Sequence, residues 1–378
     1  MNPIPGMASL NVSGTSSPES KTPSDQTPVS TPSSTPSSTP AFDLQLAKHG
    51  LTRETLKNIH DLFITLAREA GKTMLGAQHE FLVAASHKNN TADIVTKYDS
   101  EIEEMVQQTL AKAYPHFPFI GEETAKSTPL TDAPTFIIDP IDGTLNFSKG
   151  VDNCGISLGL TLNRQPVIGV VFNPYKGLLY TALKNHGAFL TKLYDPSNTT
   201  GAPRRYRLPL HPLPPPLAGL RTCLAAVEWG NQRYGPNWAL RHTVHERLLA
   251  DAASGGAMVK SVRSQGSAAL DFCYVAQGAL DFFWEAGVLA WDVCAGWCIL
   301  QEAGGIVASA NPGDWAPEVD GRCYFAVRAA KRDEQEEVVK AVWDIMGERR
   351  FEAPFSRKEA EEMLKEKEKR MHGEEEKN

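Results

Sequence analysis

A pair of aspartates follows a short apolar run, and their spacing permits metal chemistry. Residues 135–144 read TFIIDPIDGT. Because Pro140 fixes its own backbone angle and Gly143 permits a tight turn, Asp139 and Asp142 can face one point. Two like charges in a place poor in water are costly unless a cation neutralises them, and hard divalent cations prefer such oxygen-rich sites. The alternative is a solvated turn in which Asp139 caps a helix, but the preceding apolar run favours a metal site.

Further acidic residues lie at the ends of predicted elements. Glu122 follows the apolar run 117–120, Glu285 ends a strand-like run, and Asp292 begins a late helical pattern. Taken singly, Asp292 is most simply an N-cap, and Asp99 or Ser100 caps an earlier helix. Their recurrence at element ends, in a chain with no obvious nucleophilic Ser–His pair, favours a metal site over separate caps.

The elements that must position these acids alternate irregularly between strands and helices. Apolar residues recur at helical spacing after Thr52, a predicted N-cap, and again from about Ser100. An antiparallel meander is predicted after the first aspartates. The pattern indicates α+β layers rather than a regular doubly wound sheet. The strands of the meander are 155–162, 166–172 and 177–182. Two further strands are predicted at 135–139 and 280–284, and two further helices at 267–276 and 292–302.

The two ends of the chain have compositions unlike a core. Ser, Thr and Pro make up 22 of the 30 residues from 11 to 40, so residues 1–42 are predicted to be a disordered leader, with a phosphorylated regulatory arm as the alternative. Residues 353–378 are predicted to be a charged tail. A single domain over 43–352 is expected between them, with 197–218 as a Pro-rich surface insertion that is neither helix nor strand.

Bulk properties narrow the class of protein. The chain has 378 residues and a net charge of −7, which gives no reason to expect a nucleic-acid partner. No apolar run reaches membrane-spanning length, and the first residues lack a secretory signal, so no membrane association and a cytoplasmic location are expected. The six cysteines are predicted to be buried free thiols. Cys294 and Cys298 are conceivable as a metal pair, but no second Cys or His pair with zinc spacing accompanies them.

Three motifs resemble the inositol monophosphatase family, and the match runs from about Leu56 to Trp343. They are GEE at 121–123, DPIDGT at 139–144 with Asn146-Phe147 after it, and WD at 291–292 followed by AGG at 303–305. The resemblance implies an α+β fold, a layered αβαβα sandwich usually assembled as a homodimer. It also implies a magnesium-dependent, lithium-sensitive phosphatase that uses two or three Mg²⁺ ions and forms no phosphoenzyme.

The resemblance also implies a set of metal ligands. Glu122, Asp139 and the backbone carbonyl of Ile141 match the ligands of a first metal ion. Asp139, Asp142 and Asp292 match those of a second, and a third, weaker ion also touches Glu122. The metals would activate the attacking water, offset the phosphate charge and stabilise the leaving oxygen.

The remaining catalytic assignments come from the same resemblance. Glu122 and Thr144 would orient the attacking water, and Asp99 matches the acid that pairs with the threonine. The amides of Gly143 and Thr144 would hold the phosphate where a helix begins. Lys88 aligns with a lysine near the active site, although an exposed lysine accounts for it equally well. The predicted substrate-binding residues are Glu122, Ile141, Asp142, Gly143, Thr144, Gly266, Ser267, Ala268, Glu285 and Asp292.

The motifs also bear on which phosphate monoester is hydrolysed. Asn146-Phe147, Ala268 and Glu285 favour inositol monophosphate over histidinol phosphate, fructose 1,6-bisphosphate and 3′-phosphoadenylates, which related families hydrolyse. Ser267 departs from the family's Gly-Thr-Ala turn, and the loop 148–152 lacks a common proline. Both departures leave substrate choice open. A non-catalytic regulatory homologue is disfavoured, because every metal-ligand position keeps its oxygen ligand.

Overall fold

The computed structural model describes residues 40–86, 91–124, 129–195, 200–230 and 232–355, and side chains are described outside 78–96. One short 3₁₀ turn lies at Leu220–Thr222. The helices are α1 Pro40–Lys48, α2 Arg53–Ser86, α3 Thr91–Ala113, α4 Thr144–Lys149, α5 Gly235–Leu249, α6 Ala268–Gln277, α7 Ala290–Glu302 and α8 Arg332–Met346. The strands are β1 Phe119–Gly121, β2 Thr135–Asp142, β3 Gly155–Leu162, β4 Gln165–Asn173, β5 Leu178–Leu183, β6 Gly187–Lys192, β7 Arg204–Arg207, β8 Leu224–Val227, β9 Ser261–Arg263, β10 Phe282–Ala286, β11 Ile306–Ala308 and β12 Cys323–Val327.

The larger sheet contains seven strands in sequence order, β1 to β7. Strand β1 runs parallel to β2, and every later pair is antiparallel. Strand β2 is buried at all eight positions, which is why it reads as a continuous apolar run before its aspartates. The predicted meander is present as β3, β4 and β5.

The smaller sheet has the order β11-β12-β10-β8-β9. Its central strand, β10, pairs in parallel with β8 and antiparallel with β12. All five residues of β10 are buried. Glu285 therefore lies inside a central strand, opposite Tyr324, rather than after its end.

Helices cover both faces of both sheets. Helices α2 and α3 pack on one face of the larger sheet, α6 and α7 lie between the two sheets, and α5 and α8 form the outer layer beyond the smaller sheet. Three buried apolar clusters fill the spaces between these layers. This order confirms the predicted α+β fold, a layered αβαβα sandwich.

Two glycines of the larger sheet let helix α7 approach closely. A Cβ atom at Gly159 would lie 2.5 Å from Cys294 Sγ, and one at Gly169 would lie 2.2 Å from the carbonyl oxygen of Ala295. Side chains at these positions would force the helix away from the sheet. Because Asp292 lies in the first turn of α7, this close packing also fixes the place of that carboxylate. Cys294 is a buried free thiol, as predicted.

The structure corrects three predicted boundaries. Strand β7 lies within the insertion 197–218, because the proline-free stretch RRYR pairs with β6. Helix α1 begins at Pro40 and buries Phe42, so an element starts inside the predicted leader. Helix α3 begins at Thr91, so Asp99 lies in a helix interior and caps nothing.

Several predictions concern parts of the chain outside the described residues. They include most of the leader, Lys88 and the tail beyond 355. The division into leader, domain and tail stays a prediction. Within the described residues, no helix is long and apolar enough to cross a membrane.

Candidate active site

Three carboxylates from two elements meet in one place. Asp139 and Asp142 come from β2, and Asp292 comes from the first turn of α7. Each offers one oxygen that lies within 4.8 Å of the other two. Asp139 and Asp142 are buried, and Asp292 is partly buried. Residues more than 140 positions apart therefore form the predicted acidic cluster.

The end of β2 is shaped so that both of its aspartates face the same side. The pairing of β2 with β3 shifts register between Asp139 and Asp142. The backbone N–H of Ile141 donates to Asp139 Oδ1 at 3.0 Å, which holds the turn between the two acids. Gly143 follows with a φ of 88°, a value that favours glycine, and a Cβ there would lie 2.9 Å from the carbonyl oxygen of Gly266. The glycine is therefore needed both for the turn and for close approach.

Asp142 and Asp292 are oriented by neighbouring donors. The Ser267 hydroxyl and the backbone N–H of Ala269 both donate to Asp142 Oδ2. Asp292 accepts a bond of 2.6 Å from the N–H of Leu289, so it bonds back to the residue before its helix and is not itself the N-cap. These donors hold the acids but do not neutralise them.

The electrostatics of the cluster call for a cation. Burial raises the pKa of Asp139, Asp142 and Asp292 above the usual range, and repulsion from neighbouring acids adds to the shift for Asp139 and Asp142. Carboxylate oxygens converging in a buried place are ligands that a hard divalent cation prefers. The donor set therefore fits a magnesium-type ion.

Glu122 and Asp99 extend the acidic region. Glu122 directly follows β1 and is reachable from the cleft, whose walls desolvate it and raise its pKa to about 7, with repulsion from Asp292 adding. Asp99 is 2% exposed, and burial together with Glu122 raises its pKa to about 8. Its Oδ1 atom has no hydrogen-bond partner among the described residues. The Thr144 hydroxyl, expected to pair with Asp99, instead donates to the carbonyl oxygen of Ile141 at 3.1 Å.

A second loop closes the cleft beside the acids. The side-chain amide of Asn146 donates to the carbonyl oxygens of Asn153 and Gln265, each at 2.7 Å. This ties the turn after β2 to the segment that leads into Gly266, Ser267 and Ala268. Ser267 caps α6 as well, because its hydroxyl accepts from the N–H of Leu270. The predicted substrate-contact turn thus lies directly beside Asp142.

The cleft beside the acidic cluster is also lined by a second group of charged residues. It encloses about 620 Å³, and residues from both sheets and from four helices line it. This second group, called the far end of the cleft below, consists of Glu285 from β10, Glu228 after β8 and Arg241 from α5. Glu285 is 5% exposed, so its side chain lies in the wall of the cleft rather than at the rim. Glu228 and Arg241 were not predicted from the sequence.

Glu228 and Arg241 had only weak signals in the sequence. Glu228 follows a short strand, as Glu122 does, and its Oε1 atom accepts from the N–H groups of Gln265 and Gly266. Arg241 lies on a helix with many polar residues, where an arginine usually faces solvent. Its burial depends on how α5 packs against the smaller sheet, which no local pattern shows.

Comparison with known proteins identifies the family. Residues 55–347 match the model of the inositol monophosphatase family. Inositol monophosphatase 2 of Saccharomyces cerevisiae is 40% identical over 300 residues, which cover 78% of this chain and 96% of that protein. Protein qutG of Emericella nidulans is 33% identical and covers 79% of this chain and 96% of that protein. The chain therefore belongs to the inositol monophosphatase family, whose members are metal-dependent, and it is a phosphoric monoester hydrolase.

Solved structures agree on the fold. Inositol monophosphatase from Anabaena superposes with a TM-score of 0.59 at 23% identity, covering 77% of this chain and 96% of that one. SuhB of Mycobacterium tuberculosis gives 0.58 at 26% identity, covering 78% of this chain and 98% of that one. The resemblance inferred from the three motifs is confirmed.

Proposed function

We propose that this hydrolase converts myo-inositol monophosphate to inositol and phosphate and that it uses two or three Mg²⁺ ions. The observation that carries the proposal is the convergence of Asp139, Asp142 and Asp292 at one end of a cleft whose far wall holds the carboxylate of Glu285. One end is suited to a metal-bound phosphate and the other to ring hydroxyls. Relatives named as inositol monophosphatases support this substrate.

The residues around the phosphate would have distinct roles. Glu122, Asp139 and the Ile141 carbonyl would hold one cation, and Asp139, Asp142 and Asp292 a second. Bound cations would offset phosphate charge and make a water molecule nucleophilic at neutral pH. Glu122 would orient that water.

Thr144, Asp99 and the glycine turn would complete the site. The Thr144 hydroxyl would help Glu122 to orient the water, and Asp99 would stand behind Thr144. The backbone N–H groups of Gly143 and Thr144 would bind phosphate oxygens. Asp99 is buried with one unbonded oxygen, so it can accept a hydrogen bond once Thr144 turns towards it.

The substrate ring would lie between the 266–268 turn and the far wall. Gly266, Ser267 and Ala268 line the cleft next to Asp142. Glu285 can accept hydrogen bonds from two adjacent hydroxyls, and such charge-assisted bonds are worth about 1.5–3 kcal/mol each when shielded from water. A simple alcohol phosphate has no such pair of hydroxyls in a fixed ring.

Phosphate release from a panel of monoesters tests the substrate. The panel contains inositol, histidinol, sugar and nucleotide monophosphates, each assayed with Mg²⁺ and with chelator. We expect the highest kcat/KM with myo-inositol monophosphate and no turnover in chelator. A clear preference for a histidinol, fructose or adenylate phosphate would contradict the proposal and assign the chain to that substrate.

The Glu285→Gln variant tests the role given to the far wall. We expect a loss of about tenfold or more in kcat/KM for inositol monophosphate and a much smaller loss for glycerol 2-phosphate, because only the first substrate bonds to Glu285. The Mg²⁺ dependence should not change. Equal losses on both substrates would show that Glu285 acts through structure or metal geometry. A homodimer stays a prediction from the family, and a cytoplasmic location stays a prediction from the sequence.

A further inference from the structure

A buried arginine lies behind the far wall of the cleft. Arg241 is 2% exposed and donates from Nη1 to the carbonyl oxygen of Trp229 at 2.8 Å and from Nη2 to that of Ala286 at 2.7 Å. Its Nε–H is buried without a hydrogen-bond partner among the described residues. Both of its acceptors are neutral carbonyls, so these bonds leave its charge uncompensated.

The charge of Arg241 lies near the buried carboxylate of Glu285, which needs a counter-charge. Ala286 is the neighbour of Glu285 in β10, and both Glu285 and Arg241 line the same end of the cleft. Besides Arg241, the charged groups that act most strongly on Glu285 are acids: Glu228 after β8, Asp292 on α7 and Asp142 at the end of β2. Two further arginines, Arg233 and Arg322, also line the cleft.

Arg241 opposes the effect of these surroundings. Burial, together with repulsion from Glu228, raises the pKa of Glu285, whereas the guanidinium lowers it. A protonated Glu285 loses one acceptor and cannot take hydrogen bonds from two hydroxyls equally well. A cation behind the strand therefore bears directly on substrate recognition.

We propose that Arg241 is a positioning residue that supplies the counter-charge for Glu285 and so sets the preference for cyclic polyol phosphates over simple alcohol phosphates. This inference rests on the proposed function, because it assumes that Glu285 contacts the ring. Arg241 itself touches neither the phosphate nor the reacting atoms.

The test compares two substrates within each protein. The ratio of kcat/KM for myo-inositol monophosphate to that for glycerol 2-phosphate cancels metal binding and phosphate ionisation, which both substrates share. For Arg241→Met we expect this ratio to fall about tenfold at pH 7, mainly through KM for the inositol substrate. In the wild type the ratio should decrease as the pH falls, and in Arg241→Met this decrease should occur at higher pH. Glu285→Gln should remove the pH dependence of the ratio.

Two further variants separate charge from structure. Arg241→Lys loses part of the hydrogen bonding to the two carbonyls but keeps the positive charge. Because the charge is kept, this variant should retain most of the ratio. Arg328→Met is the matched control: Arg328 is also a buried arginine, at 4% exposure, but it pairs with Asp281 and lies outside the cleft. It should lower the melting temperature without changing the ratio.

The outcomes are distinguishable. An unchanged ratio in Arg241→Met, or a ratio lost equally in Arg241→Lys, overturns the inference while leaving the proposed function intact. The lysine variant gives this answer even where the methionine variant does not fold. A double variant, Arg241→Met with Glu285→Gln, should be no less selective than Glu285→Gln alone, and an additive loss would show that Arg241 acts independently of Glu285. A wild type without preference for the inositol substrate overturns the proposed function instead.

Discussion

The two ends of the cleft hold acidic side chains in different ways. At one end, Asp139, Asp142 and Asp292 receive hydrogen bonds from backbone N–H groups and from the Ser267 hydroxyl. At the other end, Glu285 lies beside the buried guanidinium of Arg241, which is part of the chain. The first end depends on a cation from solution, and the second carries a permanent one.

The difference shows what each end is suited to do. Cations bound at the acidic cluster would offset phosphate charge and make a water molecule nucleophilic, as hydrolysis of a phosphate monoester requires. A fixed counter-charge favours the ionised form of a carboxylate without any bound ion. An ionised carboxylate is suited to accept hydrogen bonds from hydroxyl groups. The end with Asp139, Asp142 and Asp292 is called the acidic end, and the end with Glu285 and Arg241 is called the arginine end. Removing metal should affect the acidic end strongly and the arginine end little.

The largest expected effect comes from one shared ligand of the acidic end. Asp139→Asn keeps the shape of the side chain but removes a charge from the cluster, so we expect the turnover number to fall by about a thousandfold or more, equivalent to several kcal/mol of transition-state stabilisation. Phosphate release at saturating Mg²⁺ measures the loss. Circular dichroism checks that the fold is unchanged. Substantial turnover by this variant would contradict the metal mechanism.

An intermediate effect is expected on the pH dependence of stability. In chelator, acids with raised pKa values bind protons more tightly in the folded state than in the unfolded state. This binding contributes to the free energy of unfolding at low pH, and the contribution is lost as the pH rises. The window runs from the ordinary values to about 7 for Glu122 and about 8 for Asp99. We expect the melting temperature to fall by on the order of 5 °C between pH 5 and 8.

Magnesium provides the control for this prediction. Bound cations should remove most of the decrease, because they balance the charge that deprotonation leaves behind. Asp99→Asn should reduce the decrease in chelator, since it removes one of the buried acids. A melting temperature that rises with pH in chelator, or an equal decrease with and without Mg²⁺, would show that the acidic end does not depend on ions as described.

The sequence predicted the acidic end well because its signals are local. The buried strand, the two aspartates and the glycine turn all lie within 135–144, so the local geometry follows from residue types at known spacing. The meander that follows was predicted for the same reason. The layer order was inferred from the resemblance, and the packing of α7 on Gly159 and Gly169 explains why two glycines occur in otherwise apolar strands.

The arginine end was predicted poorly because it depends on contacts between distant elements. Glu285 was placed just after the predicted strand 280–284, but the pairing of β10 with β12 carries the strand two residues further, to Ala286, and the Glu285 side chain is buried. Arg241 and Glu228 come from segments that meet β10 only in the folded chain. The prolines of 197–218 indicated a surface insertion without regular structure, yet the proline-free stretch 204–207 pairs with β6 and forms β7.

The smallest expected effect tests how the acidic end is held before ions bind. Ser267 donates to Asp142 and accepts from the N–H of Leu270, so Ser267→Ala removes a helix cap and one donor to a buried acid together. We expect a loss of about 1 kcal/mol in the free energy of unfolding, measured by denaturant titration, which is the usual value for losing such a cap.

The same substitution should weaken Mg²⁺ binding by a few-fold. In the wild type the hydrogen bond from Ser267 lowers the pKa of Asp142 and favours its charged form, and the alanine variant lacks this bond. Ser267→Thr keeps the hydroxyl and should show neither change. Any change in the preference for the inositol substrate should be smaller than the change in Mg²⁺ binding, since Arg241 and Glu285 are retained in both variants. If Ser267→Ala altered that preference as much as it altered Mg²⁺ binding, the two ends would be coupled through the 266–268 turn. The contrast between a removable and a permanent cation would then describe one connected site rather than two.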